Sequence, residues 1–273
     1  MPLKAHRFKA LGTVWHVQAS EVLNGKLEQA ESTAREFEQT FTRFAGDSLL
    51  MQLNNSGKLD SPPEDLLKML DHMRQISVRT QGLFNPTAGA AISAQGYGPD
   101  LQSTYEPDWL SKASWSSELV ELDGVKLDLG GLGKGYLIDK LYAQLASAGA
   151  TNILVNGGGD MRYHFDQPTD IPLMMPGASG KYFKKLSVTI GAMASSSPLI
   201  RAWDGHNHLV GTDGQSYSGN ITQVTVLADS CAEADGYATA LSVCRDPLAL
   251  SKELQLPTVV YYDDDRYAQI GPV

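Results

Sequence analysis

The sequence predicts an α+β protein of mostly antiparallel sheets with flanking helices. Three observations carry that prediction. Apolar, β-branched stretches come in neighbouring pairs across short turns, as in 151–156 with 161–165 and in 257–262 with 267–270. Helical periodicity falls between groups of strands rather than alternating with single strands, which argues against a doubly wound sheet. The chain has 273 residues, 42% of them hydrophobic, with no Pro-, Ser- or Gly-rich linker and no internal repeat. A chain of that size buries roughly 75% of its unfolded surface, enough for one large domain or two intimate lobes.

The elements follow in order. Residues 6–19 read as a strand or hairpin, with Phe8, Ala10, Val14, His16 and Val17 near period two and Gly12 as the bend. Residues 27–44 read as a helix, because Leu27, Ala30, Ala34, Phe37, Phe41 and Phe44 recur at helical spacing. Asp47 and Ser48 cap a short helix over 49–54. Pro62 and Pro63 open a helix over 64–80 that Gly82 ends. The stretch 83–98, LFNPTAGAAISAQGYG, is a loop holding a small helix, with room for a binding role. Residues 120–122 and 125–129 flank Asp123-Gly124, a type I′ hairpin signal. A helix follows over 134–148, with Gly149 at its end. Then come strands over 151–156 and 161–165, further strands over 186–194 and 222–228, a hairpin over 201–210 around Asp204-Gly205, and an alanine-rich helix over 233–244.

Composition removes several function classes. Acids exceed bases by 31 to 22, a net charge of −9 that disfavours a nonspecific grip on nucleic acid or anionic membrane. No apolar run approaches a membrane span, and the first twenty residues lack the apolar centre of a signal peptide, so a cytoplasmic location is expected. Cys231 and Cys244 fall on one predicted helix about 20 Å apart, too far to pair with each other.

Two stretches carry chemistry. The first is 127–139, LDLGGLGKGYLID, a glycine-rich turn between a predicted strand and a helix. Such a turn aims backbone N–H groups and a positive dipole end at an anion. It is not a Walker A loop, since Asp128 stands where the first Gly belongs and Gly135 where a Ser or Thr belongs. Nor is it the Rossmann turn, since Tyr136 takes the place of the last Gly. The second stretch is 233–240, EADGYATA, where Asp235 and Thr239 lie four apart on one helix face. A carboxylate and a hydroxyl so placed are hard oxygen ligands of the kind Mg²⁺ accepts. Taken singly, each stretch is also compatible with a purely structural role.

In combination with VNGGGDMR, FKALGTVW, FTRFAGDSLLMQLN and LFNPTAGAAISAQGYG, the chain resembles the ApbE-like FAD:protein FMN transferases, almost end to end and with the motifs in order. The resemblance implies one domain over 1–273, made of two interleaved lobes with a nucleotide cleft between them. It implies Mg²⁺ held by the carbonyl of Gly133 and the side chains of Asp235 and Thr239. FAD, as substrate, is expected against Leu11, Phe44, Gln95, Gly96, Tyr97, Gly130, Lys134, Tyr136, Asn156, Gly158 and Leu209. The implied reaction moves the FMN half of FAD to a Ser or Thr hydroxyl of an acceptor protein and releases AMP, with His208 as the base. The chain departs from the family pattern at Leu11, Asn85, Gln95, 194–197 and 208–214. Two other readings use the same residues: an FAD pyrophosphatase giving FMN and AMP, and a noncatalytic FAD-binding protein.

Overall fold

The computed structural model describes residues 3–20 and 25–272. The chain opens with a hairpin, β1 (Lys4–Ala10) and β2 (Thr13–Ser20), turned through Leu11 and Gly12, both at positive φ. Then come α1 (Lys26–Phe41), α2 (Leu49–Ser56), β3 (Lys58–Asp60), α3 (Glu64–Arg79) and the short α4 (Ala88–Ala94). β4 (Ala113–Trp115) and β5 (Leu119–Leu122) join β3 in a small sheet of order β3-β5-β4. The second half holds α5 (Gly133–Ser147), β6 (Thr151–Gly157), β7 (Asp160–Met174) and β8 (Tyr182–Ser196). The two-residue strands β9 (Ala202–Trp203) and β10 (His206–Asn207) pair next. β11 (Ile221–Ala228), α6 (Cys231–Ser242), α7 (Pro247–Leu254), β12 (Thr258–Tyr262) and β13 (Tyr267–Ile270) complete the chain.

The main sheet has eight strands in the order β1-β2-β6-β7-β8-β11-β12-β13, and its pairings are antiparallel. α5 packs on β6 and β7, α6 packs on β8 and β11, and the two helices pack on each other. This is the mixed, antiparallel architecture the sequence predicts. Among the described residues no helix is long and apolar enough to cross a membrane.

Local physics explains where the elements differ from the sequence reading. α1 stops at Phe41 because Thr42 is extended (φ −75°, ψ 139°). Phe44 therefore leaves the buried helix face and is 59% exposed. Residues 125–129 form no hairpin with β5, whose partners are β3 and β4. Their hydrogen bonds go elsewhere: Asn54 Nδ2 donates to the Leu127 carbonyl (2.9 Å), and the Leu127 N–H donates to Asn54 Oδ1 (2.8 Å). One buried amide side chain thus plays the part of a neighbouring strand, and the Asp128 N–H bonds the Pro86 carbonyl (2.8 Å). The hairpin at 201–210 does form, with Asp204 and Gly205 both at positive φ as a type I′ turn requires. Strand β7 runs nine residues past the predicted 165 and pairs with β8 out to Met174 opposite Tyr182. Alternate residues of this arm, among them Met161, Tyr163, Phe165, Leu186 and Val188, form an apolar cluster of their own.

Candidate active site

The glycine stretch is held by Asp128. Its carboxylate accepts the Gly130 N–H at Oδ1 (2.8 Å), an Asx turn, and pairs through Oδ2 with Arg43 Nε (2.9 Å). Arg43, only 3% exposed, also donates to the Tyr97 carbonyl (3.3 Å) and lies over the Phe44 ring. The chain then turns through Gly131 and Leu132 into α5, the Gly133 N–H bonding the Leu129 carbonyl (2.7 Å).

At Gly135, α5 meets the start of α6 so closely that a Cβ there would lie 2.2 Å from the Cys231 carbonyl oxygen. Only glycine permits that approach. It brings the Gly135 N–H to Asp235 Oδ2 (3.0 Å). One turn further along α6, Thr239 Oγ1 donates to the Gly131 carbonyl (3.3 Å) and lies 3.4 Å from Ser196 Oγ. Asp139 fixes the same junction by accepting the Cys231 and Ala232 N–H groups, each at 2.9 Å.

Lys134 sits inside this junction. Its ammonium bonds Asp160 Oδ2 and lies 3.2 Å from Asp235 Oδ2. Asp160 Oδ1 accepts the Ser195 N–H (2.9 Å). Burial works to lower the Lys134 pKa, but the Asp160 and Asp235 carboxylates outweigh it, so the group is held above its ordinary value and stays charged. Burial pushes the Asp235 carboxyl up to about 6, against the opposing pull of Lys134. The donor set is two carboxylates, a hydroxyl and a carbonyl. All are hard oxygens, the chemistry a hard divalent cation selects.

These groups line a cavity of about 1220 Å³, above the usual range for a single small ligand (roughly 300–1,000 Å³). His208 and Arg201 line it as well, as do residues 169–180 of the β7–β8 arm and its tip. Burial and the nearby Arg201 lower the His208 pKa to about 4, so its imidazole is neutral at pH 7. Its Nδ1 lies 3.4 Å from the Arg201 carbonyl.

Of the residues singled out from sequence, Phe44, Tyr97, Gly130, Lys134, Asn156, Gly158, His208, Asp235 and Thr239 all line this cavity. Gly133 is buried at the start of α5, and the glycine carbonyl beside Thr239 is that of Gly131. Tyr136 faces a separate cavity of about 730 Å³, where its hydroxyl donates to Asp65 Oδ1 (2.8 Å). Leu11 packs on the main core, with its N–H bonded to Glu38 (2.8 Å), while Gly12 beside it lines the cavity. Gln95 and Gly96 form the turn after α4. There the Gln95 carbonyl accepts Trp203 Nε1 (2.8 Å) and its side chain accepts the Ser216 hydroxyl (2.6 Å). Leu209 is buried, 1% exposed.

Sequence reasoning passed over several residues of the site. Asp160 directly follows the triple glycine in VNGGGDMR, and a carboxylate at the end of such a turn is the signal the sequence offers. Trp203 stacks on Tyr97 at 4.8 Å, and no local pattern linked residues so far apart in the chain. Arg43 and Arg201 were likewise hidden, their roles depending on tertiary contacts.

The chain matches the model of the ApbE family over residues 11–256. It is similar to a protein of Haemophilus influenzae named FAD:protein FMN transferase, at 23% identity over 89% of this chain and 81% of that one. Among solved structures, the ApbE protein of Thermotoga maritima superposes with a TM-score of 0.86 at 20% identity, covering 98% of this chain and 97% of that one. The flavin transferase ApbE of Vibrio cholerae gives a TM-score of 0.83 at 18% identity, covering 98% and 96%.

Proposed function

Because the chain belongs to the ApbE family, we propose that it transfers the FMN portion of FAD to a Ser or Thr hydroxyl of an acceptor protein and releases AMP. In this reading 1–273 is a single domain of two interleaved lobes, with the nucleotide in the cleft between them. The observation that carries it is the single cavity in which Asp235, Thr239, Lys134 and Asp160 meet His208 and Arg201. The names of the relatives point the same way.

Mg²⁺ would be held by Asp235 and Thr239 with a carbonyl of the glycine turn, Gly133 by family pattern, where it supplies charge neutralisation at the diphosphate. The chain's own groups do the rest. Lys134 and Arg201, which line the cavity, offer positive charge to the diphosphate. Phe44 and Tyr97, which meet edge to face at 88°, give apolar ring surface against which a ring system could pack. Asn156 adds to the cofactor wall, Leu11, Gln95, Gly96 and Leu209 support it from outside the lining, and Tyr136, turned to the second cavity, takes no part in it.

The acceptor oxygen attacks the phosphorus that carries riboflavin. The bond from that phosphorus to the bridging oxygen breaks, and AMP leaves with the bridging oxygen. Neutral His208 accepts the hydroxyl proton as the new P–O bond forms. A base so placed contributes about 10²–10⁴-fold. Little covalent chemistry is asked of the protein, since phosphoryl transfer depends on position and charge.

The test is incubation with FAD and Mg²⁺, with and without a Thr-bearing acceptor peptide, following AMP and covalent flavin. AMP formed only with peptide, together with flavin on the peptide, is the expected result. AMP without peptide would mean hydrolysis, and bound FAD with neither product would mean a binding protein.

A further inference from the structure

Asp160 and Asp235 reach the cavity from different elements, the start of β7 and the second turn of α6, and each side chain is 5% exposed. Their backbone partners are fixed: Ser195 N–H on Asp160 Oδ1 at 2.9 Å and Gly135 N–H on Asp235 Oδ2 at 3.0 Å. The Lys134 ammonium is held through side-chain contacts. It bonds Asp160 Oδ2 and reaches both Asp235 oxygens, at 3.3 Å and 3.2 Å. A hard cation held by Asp235 and Thr239 takes its oxygens at about 2.0–2.1 Å. It must therefore compete with the ammonium for Asp235, and two like charges at that range repel. Lysine suits a mobile role, being a compact charge on a flexible four-carbon stem. Its stem rises from the second residue of α5, at the edge of the space where a diphosphate would lie.

We propose that Lys134 is an exchangeable counter-ion of this cage: a divalent cation entering at Asp235 and Thr239 replaces its ammonium on Asp235, and the freed ammonium turns to the diphosphate of the nucleotide. The proposal rests on the flavin-transfer reading, which supplies the dinucleotide. Its consequence is coupling. The cation must displace the ammonium, and a diphosphate gives the ammonium a new partner, so each ligand raises affinity for the other. Couplings of this kind are typically about 5–150-fold.

The experiment uses the whole chain, Mg²⁺ alone as the cation and ADP as the diphosphate probe, with both affinities read by calorimetry. Lys134→Gln is expected to bind Mg²⁺ more tightly than wild type when no nucleotide is present. It is expected to bind ADP more weakly in saturating Mg²⁺, and to lose most of the coupling. A lysine with a purely structural role would weaken both affinities together, and that result, or an unchanged Mg²⁺ affinity, overturns the proposal.

A measurement on wild type guards against a misfolded variant. Reductive methylation followed by peptide mass spectrometry is expected to label Lys134 slowly at first, faster with Mg²⁺, and slowly again with Mg²⁺ and ADP. Equal labelling in all three conditions counts against the exchange. Opposite affinity shifts without flavin transfer in the FAD assay would remove the proposed reaction and leave the exchange. Flavin transfer with both affinities falling together would remove the exchange alone.

Discussion

His208 and Asp235 are titrating groups pushed in opposite directions by the same burial. The imidazole is held down to about 4 and the carboxyl is lifted to about 6. A base whose pKa lies near 4 is already neutral across the physiological range. The acidic limb of transfer activity due to His208 is therefore expected near pH 4 rather than at the usual 6.5. His208→Ala is expected to lower acceptor turnover by about 10²–10⁴-fold while FAD affinity holds, read by single-turnover flavin transfer and by quenching of flavin fluorescence. Equal loss of FAD affinity would mean that His208 binds rather than accepts the proton. Asp235→Asn removes the charged oxygen ligand while keeping the shape, and is expected to abolish cation binding in calorimetry. Retained Mg²⁺ affinity in that variant would remove Asp235 from the metal site.

Two elements, the 125–129 segment and the α5–α6 crossing, set where the glycine turn and Asp235 stand. The 125–129 segment has no strand partner and depends on Asn54, which is 1% exposed. Asn54→Ala leaves the Leu127 N–H and carbonyl without their partner, at about 1–3 kcal/mol for each unpaired group. Urea unfolding is expected to show that loss, together with weaker cation binding, because the glycine turn hangs from this segment. At the crossing, Gly135→Ala drives a Cβ into the Cys231 carbonyl, which is backbone and cannot rotate away. Overpacking of this kind costs roughly 1–3 kcal/mol, and the helices part at the point where Gly135 meets Asp235. A variant with wild-type stability and cation affinity would show that the helices can separate without consequence.

These two elements also mark what the sequence made legible. Periodicity located the long helices and the strand pairs, because each buries one regular face. The motif pair 127–139 and 233–240 is joined into one site only by the family resemblance, since each stretch alone also suits a structural role; the fold brings Asp235 to the Gly135 N–H and Thr239 to the Gly131 carbonyl. The hairpin expected at Asp123-Gly124 was not formed, since the turn signal is local while Asn54, the partner that overrides it, lies 73 positions before Leu127. Phe44 was misplaced for a similar reason: its spacing continues the helix, but Thr42 turns the backbone out of it.

For the whole molecule, burial of the site couples stability to pH. His208 has a folded value below its unfolded one, so its contribution is present above about 6.5 and lost as pH falls toward about 4. Asp235 has a folded value above its unfolded one, so its contribution is present below 3.8 and lost as pH rises through about 6. The two slopes oppose each other between pH 4 and 6. Wild-type stability in EDTA is therefore expected to be nearly flat there, and His208→Gln to become more stable as pH falls across the same window. Urea midpoints at pH 4.5 and pH 7 read the difference, and a variant whose profile tracks wild type would refute the assignment of the opposing slope to His208.

The long arm of β7 and β8 closes one side of the cavity with residues that are distant in sequence from the acid–lysine cage. Its tip, 175–181, makes its turn with its own hydrogen bonds, Met175 N–H to the Lys181 carbonyl and Lys181 N–H to the Ala178 carbonyl. The tip is thus a separable module. Insertions or replacements there can reshape that side of the cavity without touching the acid–lysine cage. The arm thus separates the shape of the cavity from the charge inside it, so that one can change while the other stays.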